Sequence, residues 1–295
     1  MALSLVSLHH YPVKSLRGTN LPTAVVEPWG LAGDRRWMLV EAEGPATGTF
    51  VSARKDPRML PLHAEAQPDD ALVLRAPDGW DVPGPLHVPV PPPRDHLRVD
   101  VWGSELDAAP AGPAADAWLS AALGRPVRLV HLDDPTRRPT SPAFSEPDDR
   151  VSFADGFPVL LTTLASLRAL NDDLLEASQG AEAAVAMDRF RPNVVVDGDV
   201  AWAEDDWRRV RIGDATFRAV KGCARCVLTT VDPATAEKGR EPLRTLARTR
   251  RFDQGVWFGV NLVPDAPFGT RLQVGDPVEV LEAVLPGEGP LRSPA

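Results

Sequence analysis

Short aliphatic and β-branched runs, each cut off by proline or glycine, constrain what about the first hundred residues of this chain can become. Leu3 to Leu8 alternates apolar and small polar residues, the pattern of a half-buried strand. Ala24–Glu27, Arg36–Val40, Thr49–Ser52, Leu60–Ala66, Ala71–Ala76 and Leu97–Val101 continue it, with breaks at Pro28-Trp29-Gly30 and Glu43-Gly44-Pro45. Many short strands at even spacing predict a β-barrel or sandwich. Ala114–Leu123 then has helical spacing, with Gly124 placed to cap its C-terminus. Val127–His131 reads as a strand, and Asp133–Asp149, poor in apolar residues, as an exposed junction between two halves.

The second half mixes the two periods. Pro158–Leu161 is apolar and buried, and Thr163–Asn171 reads as a helix reaching toward Leu175. Val194–Val196, a hairpin over Trp207–Val220 turning at Gly213-Asp214, Leu262-Val263, Arg271–Val274 and Val278–Leu281 read as strands. The tail Leu285–Ala295, rich in proline and glycine, is expected to fray. The reading is therefore mainly β with some α: a β-barrel over residues 1–125, a second over 126–285 and a flexible tail over 286–295.

A net charge of -9 argues against a nucleic-acid or anionic-membrane binder, which needs a basic surface. No apolar run approaches a membrane span, and no signal peptide is read at the N-terminus, so a cytoplasmic protein is expected.

Only two cysteines occur, Cys223 and Cys226, in Val-Lys-Gly-Cys-Ala-Arg-Cys-Val-Leu-Thr-Thr-Val-Asp-Pro. A Cys₄ zinc or iron–sulfur site and a disulfide framework are thereby excluded. A redox dithiol, a zinc site completed by histidines, one soft ligand to a metal cofactor, or two buried structural thiols remain. Val227–Val231 is β-prone and closed by Asp232-Pro233, so the pair precedes a strand rather than the helix of a thioredoxin-like thiol. The six histidines all lie in the first half, none at ligand spacing. Spacing alone favours buried structural thiols. Arg225 weighs against that reading, because a cation beside Cys226 favours thiolate, which suits a soft metal on an anionic cofactor. Such a cofactor needs cations and backbone donors. Three clusters at strand edges could supply them: Tyr11-Pro-Val-Lys-Ser15, Gly33-Asp-Arg-Arg-Trp37 and Asp188-Arg-Phe-Arg-Pro-Asn193. Each alone reads as solvated charge or turn chemistry; together they are candidates for a site.

These strings, with Ser52-Ala-Arg-Lys-Asp-Pro-Arg58, Cys223-Ala-Arg-Cys-Val-Leu-Thr-Thr-Val-Asp-Pro233, Glu241-Pro-Leu-Arg-Thr-Leu246, Phe258-Gly-Val-Asn261 and Val274-Gly-Asp-Pro-Val278, carry a resemblance. The chain resembles MOSC-domain proteins with an N-terminal β-barrel partner, the group of the mitochondrial amidoxime-reducing components and their bacterial relatives. The resemblance implies a molybdenum cofactor (Mo-molybdopterin) in the cleft between two barrels. It makes Cys226 the metal ligand and Asp232 a catalytic residue beside the metal. It lines the pterin and its phosphate with Lys14, Ser15, Arg35, Asp155, Arg191, Asn193, Ala224, Arg225 and Asn261. It implies an oxidoreductase that reduces N-hydroxylated substrates such as amidoximes, hydroxylamines and N-hydroxylated bases. Ala224 stands where some relatives have serine. No targeting segment or appended ferredoxin domain is read, so electrons are expected from a separate ferredoxin or flavoprotein, and a monomer is expected. The alternatives are a non-catalytic cofactor carrier or sulfur carrier, and a scaffold without metal.

Overall fold

The structure, a computed structural model, describes residues 3–68 and 70–290. The first half of the chain contributes β1 (Leu3–His10), β2 (Thr19–Leu21), β3 (Thr23–Glu27), β4 (Gly30–Leu31), β5 (Trp37–Glu41), β6 (His63–Ala66), β7 (Leu72–Arg75), β8 (Leu86–Val88), β9 (Leu97–Val101), β10 (Ser104–Pro110), α1 (Pro113–Leu123) and β11 (Val127–His131). The second contributes β12 (Val159–Thr163), α2 (Leu164–Ser178), β13 (Val194–Val196), β14 (Trp207–Ile212), β15 (Ala215–Ala224), α3 (Leu243–Thr249), β16 (Arg251–Phe252), β17 (Gly255–Pro264), β18 (Arg271–Gln273) and β19 (Pro277–Ala283). Among the described residues the fold is mainly β with three α-helices, as the strand pattern predicts. No helix among the described residues is long and apolar enough to cross a membrane.

Alternation along the strands builds the first barrel domain. In β5, Trp37 and Leu39 face a core shared with Val127 and Leu129 of β11 and with Trp118 and Leu119 of α1. Met38 and Val40 face the opposite way, onto Val99, Val130 and Phe153. The sheet β5-β11-β10-β9 is thus covered on both faces. The sheet β6-β7-β8 adds Ala64, Leu72, Leu74 and Val88 to the α1 side. Helix α1 starts at Pro113, where the missing N–H costs nothing, and ends at Gly124 in left-handed conformation.

The second barrel is closed. Its order is β12-β13-β1-β19-β14-β15-β17, and β17 pairs back onto β12. Closure leaves no bare edge. Only β12 and β13 run parallel; α2, capped by the Thr163 side chain on the Ser166 N–H, makes the crossover between them. The interior is filled by Leu5, Leu8, Leu161, Val196, Phe217 and Leu262. Two of these come from β1, which pairs with β13 and β19 at Leu8↔Val194 and Leu3↔Val278. The first strand of the chain is therefore a stave of the barrel built by its second half.

Three local expectations change. Thr49–Ser52 forms only single bridges, Thr49 to Asp100 and Phe50 to Val40, because the Ser52 carbonyl starts a turn by accepting from Lys55 and Asp56 N–H. The stretch 133–149 is not simply exposed: Arg138 is 3% exposed and donates to the carbonyls of Ser152, Ala154 and Asp155. Leu285–Pro290 does not fray. The N–H groups of Gly287 and Gly289 donate to Asp206, and Pro290 is buried against Gly222. Leu291–Ala295 lie outside the described residues.

Candidate functional site: a cationic cleft beside two thiols

The ends of β1, β12, β13 and β15 converge on a cavity of about 150 Å³ between the two barrels. Lys14, Ser15, Arg35, Asp155, Arg191, Asn193, Ala224, Arg225, Cys226 and Asn261 all line it. Cys223 lines it too, beside Arg54, Phe157, Leu160, Arg189 and Leu228. Asp232 does not. Its carboxylate accepts from Arg189 Nη2 at 2.9 Å and from the N–H groups of Ala234 and Thr235. It caps a turn and orients a cleft arginine, so its reach into the cleft is indirect.

One wall is built on Tyr11, which is 3% exposed. The guanidinium carbons of Arg35 and Arg191 lie 4.5 and 4.3 Å from its ring centroid. Gly18 permits this, since a Cβ there would come within 2.3 Å of the tyrosine ring. Arg35 donates to the buried Asp34 and to Asn193 Oδ1 at 3.1 Å. The Asn193 side chain in turn accepts from Leu160 N–H and donates to the His9 carbonyl, tying the cleft to β1 and β12. Arg191 differs: its Nη2 is buried with no partner. Burial lowers its pKa to about 10, Tyr11 opposing and Arg35 adding to the effect. Burial also raises Tyr11 to about 12. Ser15, Arg35 and Arg191 all have left-handed backbone, with φ of 71, 50 and 53°. Such conformations cost energy in non-glycine residues and gather at functional sites.

A second wall centres on Asp155. Lys14 Nζ forms an ion pair with it and donates to the Phe153 carbonyl at 2.8 Å. Arg54 Nη2 and Trp102 Nε1 donate to the same carboxylate at 3.3 and 3.1 Å. Burial brings Lys14 down to about 8 despite the opposing pull of Asp155. Desolvation disfavours the Asp155 carboxylate, but Lys14, Trp102 and Arg54 outweigh it and hold its pKa below the usual range. The three carbonyls that grip Arg138 fix the loop carrying Asp155.

The cysteines sit where β15 ends. The β15–β17 register shifts between Gly222 and Ala224, so Cys223 falls in an irregular step. Both thiols are free and half-buried. Burial raises the Cys223 pKa, with Arg225 partly opposing. The segment after Cys226 is not the expected strand. Val227–Thr230 is a 3₁₀ turn, because the Thr229 and Thr230 hydroxyls donate to the Cys226 and Val227 carbonyls at 3.0 and 2.8 Å. Arg225 also acts differently from a simple cation beside sulfur. Its Nε and Nη2 donate to the Phe258 carbonyl and its Nη1 to the Phe190 carbonyl, at 2.7–3.1 Å. It locks the cysteine loop onto the stacked Phe190–Phe258 pair. Gly259, with φ of 74°, allows the close approach of β12, since a Cβ there would lie 2.7 Å from the Leu161 carbonyl oxygen.

Arg54, Arg138, Arg189 and Trp102 are site residues that only the structure brings forward. Arg54 stands within the string Ser52–Arg58 and Arg189 within the cluster Asp188–Asn193, so a signal exists for both; Arg138 and Trp102 lie outside every motif quoted above. Among the described residues no group of three or more His, Cys, Asp or Glu could hold a metal ion by itself. A soft thiol facing a wall of arginine and lysine, with one buried guanidinium nitrogen unpartnered, fits a soft metal brought in on an anionic sulfur-bearing group.

Residues 2–126 match the MOSC N-terminal beta barrel domain and residues 148–279 the MOSC domain. Mitochondrial amidoxime-reducing component 1 of Homo sapiens is 34% identical over 94% of this chain and 83% of its own length. The Mus musculus protein of that name is 35% identical over 94% and 82%. Mitochondrial amidoxime reducing component 2 of Homo sapiens is 30% identical over 93% and 82%. The chain belongs to the family of two-barrel MOSC proteins that includes the mitochondrial amidoxime-reducing components.

Proposed function

We propose that this chain is a molybdopterin-dependent reductase of N-hydroxylated compounds, with Cys226 as the protein ligand to molybdenum. The observation that carries the reading is the unpartnered, buried Nη2 of Arg191 in the same cleft as the Cys226 thiol. A buried guanidinium N–H left without an acceptor is costly unless an acceptor is brought to it. When bound, the cofactor would supply two-electron chemistry by which substrate N–OH, two electrons from the donor and two protons give N–H plus water.

The chain's own residues do the rest. Arg191, Arg35 and Lys14 would hold the cofactor's phosphate, and Asn193 fixes Arg35 in place by the 3.1 Å bond. Cys226 presents its sulfur from a rigid loop, because its flanking backbone is pinned by Arg225 and by the 3₁₀ turn. Lys14 Nζ, with a pKa near 8, holds a proton at the cleft wall at neutral pH. Electrons come from a separate ferredoxin- or flavoprotein-type donor.

The test is elemental analysis with absorption spectroscopy on protein made in a molybdenum-cofactor-competent host, followed by turnover of benzamidoxime with a reduced dye. Wild type and Cys223→Ser are expected to carry molybdenum near stoichiometry, and Cys226→Ser to lose the sulfur-to-metal absorption and activity. Wild-type protein free of molybdenum sinks the reading; loaded protein without turnover makes it a cofactor carrier.

A further inference from the structure

The Trp102 indole is 47% exposed, yet it is held rigidly beside the cleft. It occupies the tip of the β9–β10 hairpin, a two-residue turn closed by the pair Val101↔Ser104. Trp102 and Gly103 have φ of 56 and 83°, the doubly left-handed geometry in which asparagine-glycine is the favoured pair. A tryptophan there is strained, and strain of this kind is kept where the side chain has a task. Its contacts show where the ring is aimed. Nε1 donates to Asp155 at 3.1 Å, the Phe50 ring is 4.6 Å away, and the Arg54 guanidinium carbon is 4.4 Å from the indole centroid. Arg54 and Asp155 line the cleft that holds Cys226. Arg54 is itself fixed by Asp155 at 3.3 Å, so indole, guanidinium and carboxylate form one braced unit, with Arg54 and Asp155 lining the cleft and the indole just outside that lining.

We propose that Trp102 and Arg54 form a stacking rim that selects flat, conjugated N-hydroxylated substrates, such as amidoximes on an aromatic ring, over small non-planar hydroxylamines. The inference rests on the reductase reading above and deepens it. A delocalised ring or amidine plane gains dispersion and cation–π contact on an indole–guanidinium stack, whereas a substrate with no π face gains nothing there. The rim touches the substrate body and not the reacting nitrogen. It acts on binding of the conjugated part, so selectivity is read chiefly in KM.

The test compares wild type, Trp102→Ala and Trp102→Phe in the cofactor-loaded protein. Steady-state reduction of benzamidoxime and of hydroxylamine gives a ratio of kcat/KM values. Calorimetry of benzamidoxime binding to the oxidised protein without a donor gives an affinity independent of turnover. In Trp102→Ala the ratio is expected to fall by roughly five- to tenfold, mainly through KM for benzamidoxime, with a matching loss of affinity. Trp102→Phe is expected to recover most of both. A ratio and an affinity in Trp102→Ala within about twofold of wild type overturn the rim. Wild type that reduces neither substrate overturns the reductase reading instead, and the calorimetry still decides Trp102.

Discussion

Lys14 shows how much a single side chain depends on partners far away in the chain. Its ammonium is 5% exposed residue-wide and leans on Asp155 and the Phe153 carbonyl. Burial is the largest influence and brings its pKa to about 8. The sign follows from linkage. The unfolded chain keeps this proton up to about 10.5, so between about 8 and 10.5 the unfolded state binds more protons and Lys14's contribution to stability rises with pH. The anion-anchor role proposed for it runs the other way, because a neutral amine no longer attracts an anion. Sulfate, which does not titrate in this range, is therefore expected to bind the cofactor-free protein ~10-fold more weakly at pH 9.5 than at pH 7. Isothermal calorimetry checks it, and in Lys14→Arg the fall should disappear; an unchanged sulfate affinity in wild type would count against Lys14 as an anchor. The sequence marks Lys14, Arg35, Arg191 and Cys226 as notable by type and setting. It does not show that Arg225 spends its donors on two backbone carbonyls, since both acceptors lie more than thirty residues away along the chain.

At the scale of elements, the start of α2 illustrates a polar cluster with consequences for stability. Glu204 is fully buried and accepts from the hydroxyls of Ser166 and of Thr163, which caps the helix, while its Oε1 has no partner. Desolvation, reinforced by Asp205, raises its pKa to about 7. A carboxyl with a raised folded-state pKa contributes most below its unfolded value and loses that contribution as pH rises through about 7. Glu204→Gln keeps the shape and removes the titration. Its melting temperature is expected to match wild type near pH 4.5 and to exceed it by a few degrees above pH 8, measured by calorimetry across that range. An identical pH profile for both proteins would mean that Glu204 does not titrate as described. Most elements are legible from period and punctuation: α1 with its Gly124 cap, and the hairpin β14–β15, stand where the pattern puts them. The turn after Cys226 is not. β-propensity favours extension in Val-Leu-Thr-Thr-Val, but two threonine hydroxyls find local carbonyls first, and sequence alone does not say which competitor wins.

At the scale of the whole molecule, the two halves are tied together by β1. Its Leu5 and Leu8 belong to the core of the closed barrel, and its removal would part β13 from β19. A fragment of residues 126–295 is thus expected to show no cooperative thermal transition. Rejoining Leu3–His10 beyond β19 through a flexible linker is expected to restore one, and circular dichroism distinguishes the outcomes. A folded, cooperative fragment without β1 would show that this stave is dispensable. What the amino-acid order determined by itself is local: strand and helix periods, the breaks between them, a single pair of thiols, and three cation-bearing strand edges. Each follows from side-chain alternation and backbone restriction within a few residues. Tertiary structure alone decided that those edges meet, that Arg191 is left with an unpartnered nitrogen, and that Asp232 reaches the cleft only through Arg189. Partners such as Lys14 and Asp155, 141 positions apart, meet because closing a barrel around its apolar interior brings strand ends from distant parts of the chain together.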